Sequence, residues 1–146
     1  MHLVTAPLAS SDASLPEVLI RADRRTLAKR LWRAAAEDGT EFGFQLEAPL
    51  EDGAVVWAAA NAHYVIRQTE EPVLEITLAG PPESLALLGW SIGNLHATIE
   101  PRPGKLLTPD DPAMRQALTR MGVVFAPTTA IFHPPRQAHS HDHDHA

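Results

Sequence analysis

The sequence contains no cysteine among its 146 residues, and this absence excludes several classes of site. Disulfide bonds, thiolate catalysis, cysteine-ligated iron–sulfur clusters and every cysteine-based zinc site are ruled out. Any metal ion must therefore be held by imidazole, carboxylate or backbone ligands.

Aromatic residues and long apolar runs are also scarce. Hydrophobic residues form 45% of the chain but aromatic residues only 5%, so the core must be mainly aliphatic. No run of about 18 apolar residues is present, and no association with a membrane is therefore predicted. The segment Met1–Ser10 contains no Lys or Arg, so no secretion signal is predicted and a cytoplasmic location is expected.

Acidic residues outnumber basic ones, 18 to 12, which gives a net charge of −6. Such a chain is a poor general ligand for nucleic acid, because phosphate contacts need basic side chains. Half of the basic residues lie between Arg21 and Arg33. We interpret this cluster as a solvated face, with a docking surface for an acidic partner as the alternative.

The segment Asp23–Asp38 gives conflicting signals. It is rich in helix formers, and Leu27, Leu31 and Ala34 recur at helical spacing. Asp23 would cap such a helix and Gly39 would end it. A strand is the alternative, because Leu31 lies among charged neighbours.

The residues that follow alternate as strands do. Phe42, Phe44 and Leu46 alternate with polar or small residues, which predicts a half-buried strand over Glu41–Glu47. A turn and two further strands are predicted at Asp52-Gly53, Val55–Ala58 and Tyr64–Arg67. We therefore predict that residues 1–71 form a small, mainly β N-terminal domain.

Residues 72–130 have sharper signals. The predicted elements are a strand at Val73–Leu78, a helix between Pro81-Pro82 and Gly93-Asn94, strands at Ala97–Glu100 and Lys105–Leu107, a helix between Thr108 as N-cap and Gly122, and a strand at Val123–Phe125. The first helix carries an apolar stripe at Leu85, Leu88 and Ile92. The order β-α-β-β-α-β is that of the ferredoxin-like unit, so the predicted fold class is α+β.

The histidines are concentrated at the C-terminus, where five of the eight lie between His133 and His145. The alternating set consists of His139, His141, His143 and His145. Alternate imidazoles on a disordered segment can fold around one cation, and imidazole suits Ni, Cu and Zn. Residues 131–146 are thus predicted to be a flexible, metal-binding tail that loses its metal below about pH 6.5, where imidazole becomes protonated. An expression tag is the alternative, although the interleaved Asp and Ser favour a native tail.

Three other histidines differ in their prospects. His96 follows the stop of the first helix, where its ring would project from a fixed element end; a structural histidine is the alternative. His133 lies at the junction with the tail and is a candidate hinge ligand. His63 is interpreted as a surface residue.

The segment Ser91–His96, Ser-Ile-Gly-Asn-Leu-His, resembles the Gly-Asn-Arg-His signature of the urease accessory protein E family. The Asp38-Gly39 turn and the segment Asp52–Val56 are similar to the family's N-terminal β domain. The β-α-β-β-α-β order of the second half and the histidine-rich tail are also similar to those of the family.

The resemblance implies a nickel metallochaperone that delivers Ni(II) to apo-urease, not an enzyme. It implies a homodimer with His96 as metal ligand at the dimer interface, and the tail histidines as additional ligands. The implied partners are the urease accessory GTPase, protein G, and the urease apoprotein. Zn(II) and Cu(II) are expected to bind in vitro as well. The resemblance also implies that Lys29–Asp38 is a strand, which we adopt against local propensity.

Two departures from the family pattern are visible. Leu95 stands where the family has Arg, so contacts made by that Arg are absent. Some members carry further histidines near the second helix, whereas the corresponding stretch Lys105–Asp111 has none. A second metal site there would require Asp110 or Asp111.

Three rival functions are weaker. A general divalent-metal buffer without a dedicated client would have the same tail. An RNA-recognition module shares the element order, but its central strands need aromatic residues that Val73–Leu78 and Ala97–Glu100 lack. An enzyme is not favoured, because no nucleophile motif, phosphate loop or His-Glu-x-x-His pattern is present.

Overall fold

The structure is a computed structural model that describes residues 1–135. The chain divides into two compact units, of which the first is Met1–Glu70 and the second begins at Glu71. Both strands and helices are present, which confirms the predicted mixed α+β class. None of the helices in the described part of the chain is long and apolar enough to span a membrane.

The first unit contains two three-stranded sheets and one short helix. Its elements are β1 (His2–Val4), β2 (Glu17–Ala22), α1 (Arg24–Leu27), β3 (Leu31–Ala35), β4 (Glu41–Gln45), β5 (Val55–Ala58) and β6 (His63–Gln68). The sheet orders are β1-β4-β3 and β2-β6-β5. Phe42, Phe44 and Ile66 are fully buried in the core that these sheets enclose.

The segment Asp23–Asp38 is a single helical turn followed by a strand. Asp23 caps α1, because its carboxylate accepts a hydrogen bond of 2.7 Å from the Thr26 N–H. Strand β3 then pairs with β4, and Trp32 stacks on Phe44 with ring centroids 4.0 Å apart. Burial of Trp32 therefore outweighs the helix propensity of its neighbours. The long-helix interpretation is wrong and the strand implied by the resemblance is confirmed over Leu31–Ala35.

The second unit has a four-stranded sheet with two helices. Its elements are β7 (Glu71–Thr77), α2 (Pro82–Asn94), β8 (Glu100–Arg102), β9 (Lys105–Pro109), α3 (Pro112–Met121) and β10 (Phe125–Ala130). The strand order is β10-β7-β9-β8, with every neighbouring pair antiparallel. Both helices pack on one face of this sheet, around Ile76, Ile92 and Leu118, which are fully buried.

Three element boundaries differ from the prediction. The strand expected at Ala97–Glu100 lies at Glu100–Arg102, and the strand expected at Val123–Phe125 lies at Phe125–Ala130. Pro127 is tolerated within β10 because β10 is an edge strand. The helix cap is Asp111 and not Thr108, since sheet pairing extends β9 through Thr108 to Pro109.

The chain beyond β10 is packed where the structure describes it. Phe132 is fully buried against Val73 and Leu107. The first residues of the segment predicted as a tail are therefore part of the folded unit. Residues 136–146, with the predicted disordered end of the chain, lie outside the described residues.

Replacing the observed cap of α3 should weaken that helix. The Asp111 carboxylate accepts a hydrogen bond of 2.8 Å from the Met114 N–H. Asp111→Ala should lower the opening free energy of α3 by about 1 kcal/mol, the usual effect of losing a cap. Hydrogen exchange over Pro112–Met121 measures this directly. The exposed substitution Gln116→Ala is the control and should leave the exchange unchanged; equal effects of the two would contradict the assignment of the cap.

Candidate metal centre

The end of α2 places His96 in an unusual backbone conformation. The helix ends at Asn94, Leu95 is its C-cap, and His96 follows with a φ of 58°. Among the residues that the structure describes, His96 is the one non-glycine residue with positive φ. Its N–H donates a hydrogen bond of 3.0 Å to the Gly93 carbonyl oxygen, which closes the helix end.

Glycine usually occupies this position, because a β-carbon in the left-handed region costs roughly 1–2 kcal/mol. A histidine there is justified by what its ring does and not by the backbone it must adopt. The His96 side chain is exposed, so the ring is available to a ligand. The helix end thus fixes the direction from which an imidazole is presented.

The solvent side of α2 beside His96 is apolar. Leu87 and Trp90 are one turn apart and are 65% and 67% exposed, and Leu95 is 50% exposed. We call these three residues the α2 apolar face. The opposite side of the helix, with Leu88 and Ile92, is buried in the core. An apolar surface of this kind around a polar ligand is typical of an interface with another molecule.

His133 is held at the edge of the same sheet. Its backbone N–H donates a hydrogen bond of 2.5 Å to Glu100 Oε1, and its side chain is exposed. Arg102 pairs with Glu100 through Nε and donates a second hydrogen bond, of 2.9 Å, to the Ile131 carbonyl oxygen. The predicted hinge position of His133 is therefore a fixed point of the fold.

The electrostatics of Glu100 favour its ionised form. Partial burial acts to raise the pKa of Glu100, but the hydrogen bonds from Arg102 and from the His133 N–H outweigh it and hold the pKa below its ordinary value. The carboxylate is therefore charged near neutral pH, and the interaction that anchors His133 is present there.

One chain does not assemble a complete metal site in its described part. No group of three or more His, Asp or Glu side chains that could hold a metal ion occurs within residues 1–135. His96 therefore offers a single imidazole, and a metal ion bound to it needs ligands from beyond these residues. The predicted ligands His139, His141, His143 and His145 lie outside the described residues.

The remaining candidate ligands are engaged elsewhere. Asp110 accepts two hydrogen bonds of 2.7 Å from Arg115, which lower the pKa of Asp110, and Asp111 caps α3. His2 packs against the Phe42 and Trp57 rings. His63 was predicted to be a surface residue, which is wrong: it lies in β6 and is only 3% exposed, because β2 and β5 flank that strand.

Sequence reasoning missed Glu100, Arg102 and Phe132, which anchor the chain at His133. Two signals could have identified them. Glu100 and Arg102 are two residues apart on a strand and therefore share a face. Phe132 is the one large aromatic residue between Pro127 and Pro134, and a lone aromatic residue in a proline-rich segment indicates an anchor in the core.

Comparison with known proteins gives consistent matches. A family model described as the C-terminal domain of the UreE urease accessory protein matches residues 71–146. The urease accessory protein UreE of Ectopseudomonas mendocina is 30% identical over 143 residues, which cover 98% of this chain and 84% of that protein. UreE of Deinococcus radiodurans is 33% identical over 131 residues, which cover 88% of this chain and 82% of that protein.

A third relative matches over a shorter region. UreE of Burkholderia ambifaria is 35% identical over 99 residues, which cover 65% of this chain and 48% of that protein. The resemblance seen in the sequence is confirmed, and so is the prediction that the chain is an accessory protein and not an enzyme. The chain belongs to the UreE urease accessory protein family.

Proposed function

We propose that the chain is a metallochaperone that carries Ni(II) as cargo to apo-urease while the urease metallocentre is assembled. The observation that carries this proposal is the exposed His96, held in a left-handed conformation at the end of α2 in a member of the UreE family. The proposed cellular site is the cytoplasm, and the proposed partners are the accessory GTPase, protein G, and the urease apoprotein.

The domain arrangement follows from the same comparison. The first unit corresponds to a small β domain and the second to a ferredoxin-like domain, whose β-α-β-β-α-β order and antiparallel sheet we propose as the metal-binding scaffold. The histidine-rich tail beyond it is proposed to bring further imidazoles.

A homodimer would complete the site that one chain leaves open. The α2 apolar face lies beside His96 and exposes Leu87 and Trp90. Two copies that bury this face against each other would bring two His96 imidazoles together, because a two-fold interface pairs the same residues of both subunits. Two imidazoles leave coordination positions open, and an open site can release its metal to a client.

The tail supplies the missing ligands. Its histidines, together with His133 as a ligand at the hinge, would occupy the open positions of the nickel ion. Imidazole ligands also accept Zn(II) and Cu(II), and Cu(II) binds such sites more tightly than Ni(II). Both ions are therefore expected to compete in vitro.

The tightest nickel binding should depend on His96. Calorimetric titration at pH 7.5 of the wild type, of His96→Ala and of a chain stopped at Gln137 separates the two sets of ligands. His96→Ala should remove the tightest phase, whereas the stopped chain should bind fewer ions. If His96→Ala binds as the wild type does and the stopped chain binds nothing, the protein is a fold that carries a metal-sequestering tail.

Replacing His96 by glycine should separate the ring from the backbone. Because glycine adopts positive φ without strain, His96→Gly should stabilise the second unit by about 1 kcal/mol while abolishing the tight nickel phase. Urea denaturation with Trp90 as the probe, in a Trp32→Phe, Trp57→Phe background, measures the stability. Loss of stability in His96→Gly would show that the ring serves packing and would contradict the metal-ligand role.

Delivery distinguishes a metallochaperone from a general metal buffer. Nickel should move from the loaded protein to the apo-urease complex faster than it moves to a chelator of equal affinity, since direct transfer does not wait for dissociation. Stopped-flow measurement of both rates tests this. Equal rates would favour the metal buffer, which has the same tail and no dedicated client.

A further inference from the structure

The second face of the four-stranded sheet is partly covered by the chain's own C-terminal segment. The helices occupy the face that carries Leu74, Ile76 and Leu106. Side chains alternate along strands, so Val73 and Leu107 point to the other face, where Phe132 packs on both and is fully buried. Phe132 therefore fixes the chain to the face that the helices leave open.

Two polar contacts from β8 hold the residues on either side of Phe132. Arg102 donates to the Ile131 carbonyl oxygen at 2.9 Å, and Glu100 accepts from the His133 N–H at 2.5 Å. Glu100 and Arg102 also pair with each other. We call Glu100, Arg102 and Phe132 the C-terminal clasp.

The clasp moves the chain from one edge of the sheet to the other. Strand β10 ends at Ala130 on one edge, and β8 forms the opposite edge, with β7 and β9 between them. Three interstrand spacings separate the two edges, which is about 14 Å. Residues 131–133 cross this distance, so the chain leaves the folded unit beside β8 and not beside β10.

The β8 edge is the edge that is joined to His96. Only Ala97, Thr98 and Ile99 separate His96 from Glu100, so their Cα atoms are at most about 14 Å apart. Six residues lead from His133 to His139 and span at most about 21 Å. A tail that starts at the clasp therefore starts close to the imidazole that the proposed function assigns to nickel.

We propose that Glu100, Arg102 and Phe132 are positioning residues that hold the root of the histidine tail beside His96, so that tail imidazoles bind the same divalent cation as His96. This inference rests on the proposed function. It adds that the tail acts on the His96 site through a fixed starting point, which raises the effective concentration of its ligands there.

Opening the clasp should matter only when the tail has histidines. Glu100→Ala removes the acceptor for the His133 N–H and the partner of Arg102. In the full chain it should weaken the His96-dependent nickel phase by about fivefold, because the ligands start farther from the site. In a full chain with His139, His141, His143 and His145 replaced by alanine, the same substitution should change the dissociation constant less than twofold. Competition with a chelator measures both constants.

Three controls sharpen the test. Glu100→Gln keeps an oxygen that accepts from the His133 N–H and should restore part of the affinity. Lys105→Gln breaks the ion pair with Glu75 on the same sheet face, away from residues 131–133, and should have no effect. Hydrogen exchange at the His133 amide should rise in Glu100→Ala, which shows that the clasp has opened without unfolding of the sheet.

The outcomes separate this inference from the proposed function. Equal weakening in chains with and without tail histidines would mean that the clasp only stabilises the fold, and would overturn the inference. So would unchanged affinity in Glu100→Ala with the clasp shown to be open. In both cases the loss of the tight phase in His96→Ala would leave the proposed function intact. If His96→Ala retains that phase, the proposed function and this inference fail together.

Discussion

The closure of α2 at Leu95 and His96 is the constraint on which the candidate metal centre depends. The His96 N–H bonds back to the Gly93 carbonyl oxygen, and the backbone turns into the left-handed region at a residue that has a β-carbon. Because Leu88 and Ile92 are buried in the sheet core, this helix end cannot shift without disturbing the packing. The fold therefore presents one imidazole to solvent in a fixed direction, and it accepts local strain to do so.

The sheet beneath α2 serves the same centre from both of its faces. One face anchors the helix that ends at His96, and the other anchors Phe132, from which the chain continues toward the histidine-rich tail. The rigid imidazole and the origin of the tail are thus set by one set of strands. In the account proposed above, a metal ion meets a preorganised ligand first and mobile imidazoles second, which suits an ion that must be bound and then handed on.

Local signals predicted those parts of the fold that local interactions determine. Pro82 at the start of α2 and Gly122 at the end of α3 act through their own backbone, and both lie where the sequence indicated. The cap at Asp111 was missed because pairing of β9 with β7 draws Thr108 into the sheet. The anchoring of Phe132 and the burial of His63 depend on residues distant in sequence, so periodicity could not reveal them. The exposed position of His96 could be anticipated from the helix stop, but its positive φ could not.

The most direct test of the account is X-ray absorption at the nickel edge, on the full chain with the four tail histidines replaced by alanine, together with an ion count. The account predicts one nickel ion per two chains, two imidazoles in its coordination shell, and loss of the signal in His96→Ala. One nickel ion per chain with a single imidazole, or a signal unchanged by His96→Ala, would contradict the claim that paired His96 rings form the centre.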